Sequence, residues 1–110
     1  MESLEVDPPS RPAEAAVLDE GDRYVLALKG EFDLVTAEIL ESALDRVPRG
    51  DQTRPIVLDM SEVTFIDSSG LKPLIRAHAR GSTLAIRSAS PTVKAVISLT
   101  GLDEVFPPER

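Results

Sequence analysis

Large apolar residues recur at every second position over residues 23–29, which is typical of a strand with one buried face. The apolar side chains on that face are Tyr24, Leu26 and Leu28. The apolar stretch 13–19 predicts an earlier strand, and the Glu-Gly-Asp turn at 20–22 joins the two strands as a hairpin. Gly30 is expected to end the second strand.

The apolar period then becomes helical in three segments. In the first, which follows Asp33, the positions i, i+3, i+4 and i+7 are apolar, namely Leu40, Ala43, Leu44 and Val47. A second helix is predicted from about residue 71 to 80, with His78 partly buried. The third has Ser90 as N-cap, Pro91 at the first helical position and Gly101 as its C-terminal stop.

Further strands are predicted between these helices. Residues 55–60 are apolar without alternation at their centre, as in a strand covered on both faces. Phe65 and Ile66 are expected to form a buried extension of this strand after a small turn at residues 61–62. Residues 83–87 predict another strand, and 105–106 a last short one. This order of elements predicts an α/β fold with an N-terminal hairpin and parallel crossovers.

Composition limits the possible functions. The chain has 110 residues, of which 42% are hydrophobic, and one small domain is predicted over residues 13–110. Residues 1–12, with prolines among polar residues, predict a disordered tail. Because the chain has no Cys and one His, neither a disulfide nor a zinc site is expected, and we predict no metal and no cofactor.

Charge and hydropathy exclude two further classes. A net charge of -7, with three Phe and one Tyr, argues against a nucleic-acid binder. No apolar run approaches the roughly 20 residues of a membrane span, and the N-terminus lacks the apolar region of a signal peptide, so we predict a cytoplasmic protein without membrane contact.

The charge also reverses along the chain. Residues 1–67 carry 16 acidic and 6 basic residues, whereas residues 68–102 carry five basic residues and no acidic one. Two interpretations remain open, since the basic residues either form solvated faces or mark an anion that is handled near Ser68.

The residues do not form a recognisable catalytic group. A helical segment between Ser68 and His78 would place this histidine too far along the helix to activate the serine. A Gly-rich phosphate loop is absent. A phospho-aspartate receiver would use Asp59, but this chain begins with two strands, so Asp59 is expected at a strand end or in a turn. We therefore predict that the protein is not an enzyme.

The sequence Asp-Ser-Ser-Gly at 67–70 joins a buried strand to a helix. The side chains of Asp67, Ser68 or Ser69 can accept hydrogen bonds from the first free N–H groups of this helix, and Gly70 permits tight packing. The same N–H groups can also host an anion, including a phosphate on a serine. Plain N-capping and an anion site both fit these residues.

Three segments, in this order, resemble the anti-sigma factor antagonist branch of the STAS domains (sulfate transporter and anti-sigma factor antagonist). Residues 30–36 resemble the family's Gly-Glu-Leu-Asp segment, 59–71 its strand, loop and phospho-acceptor turn, and 90–102 its later helix. The resemblance covers nearly the whole chain after the tail. It implies the STAS fold, an α/β architecture with a mixed β-sheet, an N-terminal hairpin and helices packed mainly on one face.

The resemblance also implies a function. The family's antagonist binds an anti-sigma factor, a GHKL-type serine kinase, and thereby frees a sigma factor. The kinase phosphorylates the serine directly after the turn's Asp, which corresponds to Ser68, and the antagonist then lets go until a phosphatase resets it. The chain thus resembles a bacterial anti-anti-sigma factor of transcription regulation and stress response, as a monomer or weak dimer.

The resemblance implies partner-binding residues in two segments, and the exposed face of the second helix is expected to join them in the interface. The residues in the two segments are Asp33, Leu34, Thr36, Asp67, Ser68, Ser69, Gly70, Leu71 and Lys72. Asp33 matches the acidic residue near the acceptor, and Lys72 either pairs with the phosphate or is solvated. The second helix departs from the family in two ways, since it is shorter than in many members and contains Pro73 just inside its start.

Two other functions remain open for a STAS domain. One is a scaffold subunit of a transport or lipid-trafficking ATPase, and the other is a small-ligand-sensing module without phosphorylation.

Overall fold

The computed structural model describes residues 13–48 and 54–109. Within these residues, the strands and helices follow one another as β1 (Glu14–Asp19), β2 (Tyr24–Phe32), α1 (Ala37–Asp45), β3 (Ile56–Ile66), α2 (Ser68–Ala79), β4 (Leu84–Arg87) and α3 (Pro91–Leu99). The tail predicted over residues 1–12 lies outside the described residues.

The strands form one mixed sheet in the order β1-β2-β3-β4. β1 and β2 pair antiparallel as the predicted hairpin, whereas β3 is parallel to both β2 and β4. α1 connects β2 to β3 and α2 connects β3 to β4, so both helices belong to parallel crossovers. The predicted architecture is therefore confirmed.

One face of the sheet carries all three helices. Leu26 and Leu58 are register partners on this face and belong to the buried core. The helices contribute their predicted apolar stripes to the same core through Leu40, Ala43, Leu44, Leu71, Leu74, Val93 and Ile97. Because side chains alternate along a strand, Val25 and Val57 point to the opposite face, where they too are buried.

β2 and β3 are longer than predicted. Gly30 does not end β2, since the strand continues to Phe32. Gly30 lies within the strand with a φ of +92°. β3 runs without the turn predicted at residues 61–62, and Asp59 lies inside the strand. The pairing of β2 with β3 has two register shifts, between Ala27 and Lys29 and between Gly30 and Glu31. At each shift β3 contains one residue more than β2, as in a β-bulge. Phe65, expected to be buried, is 42% exposed.

α2 begins three residues before its predicted start at Leu71 and ends at Ala79. Pro73 is its sixth residue, so it lies beyond the first turn. Proline lacks an N–H, and the Ser69 carbonyl therefore has no helical donor at this position. His78 is exposed, not partly buried.

α3 has the predicted caps at both ends. The Ser90 hydroxyl accepts a hydrogen bond from the Val93 N–H at 3.2 Å. After the helix, Gly101 has a φ of +76°, and the Leu102 N–H donates to the Ile97 carbonyl at 3.0 Å, as in a Schellman motif.

The predicted last strand at residues 105–106 is wrong. The chain turns there, and Phe106 packs into the core. Instead, residues 107–109, here called the C-terminal strap, lie along β4. The Ile86 N–H donates to the Pro107 carbonyl at 2.8 Å, and the Glu109 N–H donates to the Ile86 carbonyl at 2.7 Å.

Candidate functional site

The site lies where the parallel strands β2 and β3 end. Phe32 and Ile66 are the last residues of these strands and are register partners. The residues that follow them are therefore brought together at one edge of the sheet. The Asp67 N–H donates to the Phe32 carbonyl at 3.2 Å, which joins the two segments directly.

Gly70 allows the start of α2 to press against the end of β2. A Cβ atom at this position would lie 2.2 Å from the Phe32 carbonyl oxygen and 2.7 Å from its carbonyl carbon. Because both atoms belong to the backbone, no rotamer change could relieve the overlap. The tight packing predicted for Gly70 is therefore a contact with β2.

The turn at residues 67–70 caps helix α2. Asp67 is the N-cap residue, in an extended backbone conformation, and its carboxylate accepts a hydrogen bond from the Gly70 N–H at 3.0 Å. Ser68 is the first residue of the helix and is exposed. Ser69 is half-buried, and Leu71 is fully buried in the core.

The turn at residues 33–36 is fixed by its own polar side chains. The Asp33 carboxylate accepts from the N–H groups of Val35 and Thr36, both at 3.0 Å. The Thr36 hydroxyl accepts from the Asp33 N–H at 2.9 Å and donates to the Glu31 carbonyl at 2.8 Å. Hydrogen bonds from Thr36 hold the pKa of Asp33 below its usual range, so this carboxylate is charged at neutral pH.

Apolar and basic side chains are displayed around these two turns. Leu34 and Val35 are 76% and 80% exposed at the tip of the 33–36 turn. On α2, Lys72 is exposed one turn after Ser68, and Ile75 is 39% exposed. The site thus presents a serine, anionic and basic groups and three apolar side chains to solvent.

The sequence identified this site through its polar residues, but missed Phe32. The β2–β3 pairing brings residues 33–36 next to residues 67–70, as the resemblance implied. Gly70 and Leu71 are buried, so they support the surface and do not form part of it. Phe32 contributes to the site through its backbone carbonyl group, and because every residue has one, its side chain gives no indication of this contact. The one indication in the sequence is Gly70, since the Phe32 carbonyl leaves no room for a side chain at that position.

Three further observations concern other kinds of site. Within residues 13–48 and 54–109, no group of three or more His, Cys, Asp or Glu side chains could hold a metal ion. In the same part of the chain, no helix is both long enough and apolar enough to cross a membrane. A cavity of about 320 Å³ lies between α3 and the C-terminal segment, lined mainly by apolar side chains that include Ile86, Ile97 and Phe106.

Together, the four-stranded mixed sheet, the helices on one face and the exposed serine at the start of the capped helix α2 define a small α/β domain with its candidate site at the ends of parallel strands. A family model described as "Mlab, STAS domain" matches residues 15–107. The chain therefore belongs to the STAS domain family, as the resemblance indicated.

Two similar proteins from mycobacteria are named as anti-sigma factor antagonists. The chain is 34% identical over 93 residues to the anti-sigma-F factor antagonist RsfB of Mycobacterium tuberculosis, covering 82% of this chain and 75% of that protein. A crystal structure of an anti-sigma factor antagonist from Mycobacterium paratuberculosis superimposes with a TM-score of 0.75 at 33% identity, over 87% of this chain and 84% of the other.

A more distant structure supports the fold alone. The anti-sigma factor antagonist SpoIIAA in its unphosphorylated form has a TM-score of 0.68 at 20% identity, over 87% of this chain and 88% of that one. The predicted fold class is thereby confirmed.

Proposed function

We propose that this protein is an anti-anti-sigma factor. It binds an anti-sigma factor that is a GHKL-type serine kinase, and so releases a sigma factor for transcription. Phosphorylation of Ser68 by the bound kinase ends the interaction, and a phosphatase restores it. The names of the relatives from the two mycobacteria support the antagonist role.

The observation that carries this proposal is the position of Ser68. Its side chain is exposed at the first residue of α2, directly after a capping aspartate and beside the rigid 33–36 turn. A kinase can reach this hydroxyl without unfolding the helix. The partner-binding residues proposed around it are Asp33, Leu34, Thr36, Asp67, Ser68, Ser69 and Lys72, with Gly70 and Leu71 as their support.

Phosphorylation acts here through charge. A phosphate adds about -1.5 to -2 charges at neutral pH. On Ser68 it would lie next to the Asp67 carboxylate and near that of Asp33, and the helix N-terminus would offset only part of this repulsion. Inserting the added charge into a fitted interface costs desolvation, so the partner is released without a change of fold.

The proposal assigns the protein no reaction of its own and no cofactor. ATP belongs to the kinase partner, and the serine is a substrate. The protein acts in the bacterial cytoplasm as a monomer or weak dimer.

Phosphorylation and binding can be tested with the anti-sigma kinases encoded in the same genome. We expect mass spectrometry to find one phosphate on Ser68 after incubation with the cognate kinase and ATP. Ser68→Ala should bind the kinase as wild type does, whereas Ser68→Glu should bind at least tenfold more weakly because it carries a fixed negative charge. Ser98→Ala is the matched control, since this exposed helical serine lies on α3, outside the proposed binding residues, and the variant should retain both phosphorylation and binding.

Two results would overturn parts of this proposal. Equal binding by Ser68→Ala and Ser68→Glu would show that charge at this position does not control docking. Wild-type protein that binds none of these kinases would overturn the antagonist role, and would favour the scaffold or ligand-sensing alternatives.

A further inference from the structure

The two helices nearest the site carry opposite charges. α1 contains Glu38, Glu41 and Asp45 and no basic residue before its C-cap, Arg46. α2 contains no acidic residue, and its basic residues Lys72 and Arg76 are followed by Arg80 at its C-cap. We call the first set the acidic stripe and the second the basic stripe.

Each stripe follows one exposed face of its helix. The basic residues recur at i, i+4 and i+8, and all three are exposed. The acidic residues recur at i, i+3 and i+7, opposite the side that buries Leu40 and Leu44. The two stripes adjoin each other, because Arg76 and Glu41 form an ion pair at 3.1 Å.

Folding accounts for part of this segregation of charge, because Glu38 in the first turn of α1 and Arg76 in the last turn of α2 each lie at the helix end that favours their sign. Like charges at i, i+3 and i, i+4 destabilise a helix, and alternating the two signs within each helix would remove that repulsion. Within the described residues, Arg76–Glu41 is the one ion pair that joins the two stripes. The like-charged row on each helix has the form of a surface that a complementary partner recognises.

We propose that the α1–α2 face is a bipolar docking surface for the anti-sigma partner. The partner presents an acidic patch to the basic stripe and a basic patch to the acidic stripe, which fixes its orientation across the two helices. This inference rests on the proposed function and specifies the charge of the partner's surface.

The bipolar surface also includes the proposed switch. Ser68 lies four residues before Lys72, so it begins the same helical row as the basic stripe. A phosphate on Ser68 would neutralise Lys72 and repel the partner's acidic patch. Phosphorylation therefore reverses the charge of this stripe at its end nearest the 33–36 turn.

The basic half of the surface is tested by association kinetics with the kinase that binds wild-type protein. Lys72→Glu and Arg80→Glu should each lower the association rate constant about tenfold at roughly 0.01 M salt, and the difference should vanish near 1 M salt, where charges are screened beyond about 3 Å. Lys94→Glu changes the net charge equally, but on α3 and outside both stripes, and should associate as wild type does.

Variants of the acidic stripe distinguish a bipolar surface from a surface that only attracts an acidic partner. Glu38→Lys should also slow association at low salt, although it makes this acidic protein less negative. Glu38→Gln removes the charge without reversing it and should give a smaller effect in the same direction. Glu104→Gln is the control at an exposed position after α3.

Three outcomes overturn the inference in distinguishable ways. Faster association of both Glu38 variants would show that the partner surface is only acidic. Rates equal to wild type for Lys72→Glu and Arg80→Glu would remove the basic half while leaving the antagonist role intact. Wild-type protein that binds no anti-sigma kinase would overturn the proposed function and this inference together.

Discussion

The carboxylate of Asp67 and the hydroxyl of Ser68 lie next to each other but have different surroundings. Asp67 is half-buried and its oxygen caps α2 through the Gly70 N–H. Ser68 is exposed and is not needed for this cap. Plain N-capping and a phosphate site at the Asp-Ser-Ser-Gly turn are therefore compatible in one structure. Capping uses the aspartate and leaves the serine available for modification.

Substitution of Asp67 distinguishes the effect of its capping hydrogen bond from the effect of its negative charge. Asp67→Ala should lower the free energy of unfolding by about 1 kcal/mol, because the Gly70 N–H loses its acceptor. Asp67→Asn keeps an oxygen acceptor and should stay close to wild type in urea unfolding. If the asparagine variant were destabilised as much as the alanine variant, the carboxylate's charge, and not its capping hydrogen bond, would be what stabilises the helix start.

The polar residues of the site could be predicted from the sequence, but the exact start of α2 could not. The apolar period begins at Leu71, whereas the helix begins at Ser68, because the Asp67 cap recruits the two serines and Gly70 into its first turn. Residue patterns locate a cap region, while the capping hydrogen bond decides which residue opens the helix.

Among the elements, α2 is held to the sheet most closely at its first turn. Phe32 at the end of β2 accepts the Asp67 N–H and faces Gly70 with no room for a side chain. The two turns of the site therefore share one rigid support. A change in this contact should alter the spacing between Ser68 and the exposed apolar pair Leu34 and Val35.

Gly70→Ala tests this support. The added methyl group overlaps the Phe32 backbone, so the variant should lose about 1–3 kcal/mol of unfolding free energy and bind the kinase more weakly. Ser69→Ala makes the neighbouring helical residue an alanine without this overlap, and should not be destabilised comparably. Unchanged stability and binding in Gly70→Ala would mean that the two turns move independently.

The type and order of the secondary structure elements up to α3 were predictable, but the strand predicted at residues 105–106 was wrong and the irregularities within the elements were not predicted. The hairpin, both crossover helices and the caps of α3 followed from local residue patterns. The extension of β2 past Gly30 and the exposure of Phe65 depend on the register between β2 and β3. Register is a property of the strand pair, so neither strand's own pattern contains it.

Across the whole molecule, the C-terminal strap ties the chain's end to the sheet. The Glu109 carboxylate receives two hydrogen bonds from Arg87, at 2.6 and 2.7 Å, and another from Arg23. These guanidinium groups, Arg87 foremost, lower the pKa of Glu109 to about 2 from its usual 4.5. The charged form of Glu109 is thus favoured in the folded protein.

This shift predicts how stability depends on pH. Because the pKa is lower in the folded state, Glu109 contributes its full stabilisation above about pH 4.5 and loses it as the pH falls towards about 2. Glu109→Gln should be less stable than wild type in urea at neutral pH, and the difference should shrink over this interval. Glu104→Gln, at an exposed carboxylate, is the control. A difference that stays constant with pH would contradict this account.

The strap also makes the two edges of the sheet unequal. Its backbone pairs with Ile86 on the outer side of β4, whereas within the described residues β1 has a strand neighbour on one side only. β1 is therefore the more open edge for pairing with a second copy of the chain. Antiparallel self-pairing centred on β1 would set Glu14 against Asp19 at each end of the paired strands. Like charges at these positions disfavour edge-to-edge assembly through β1.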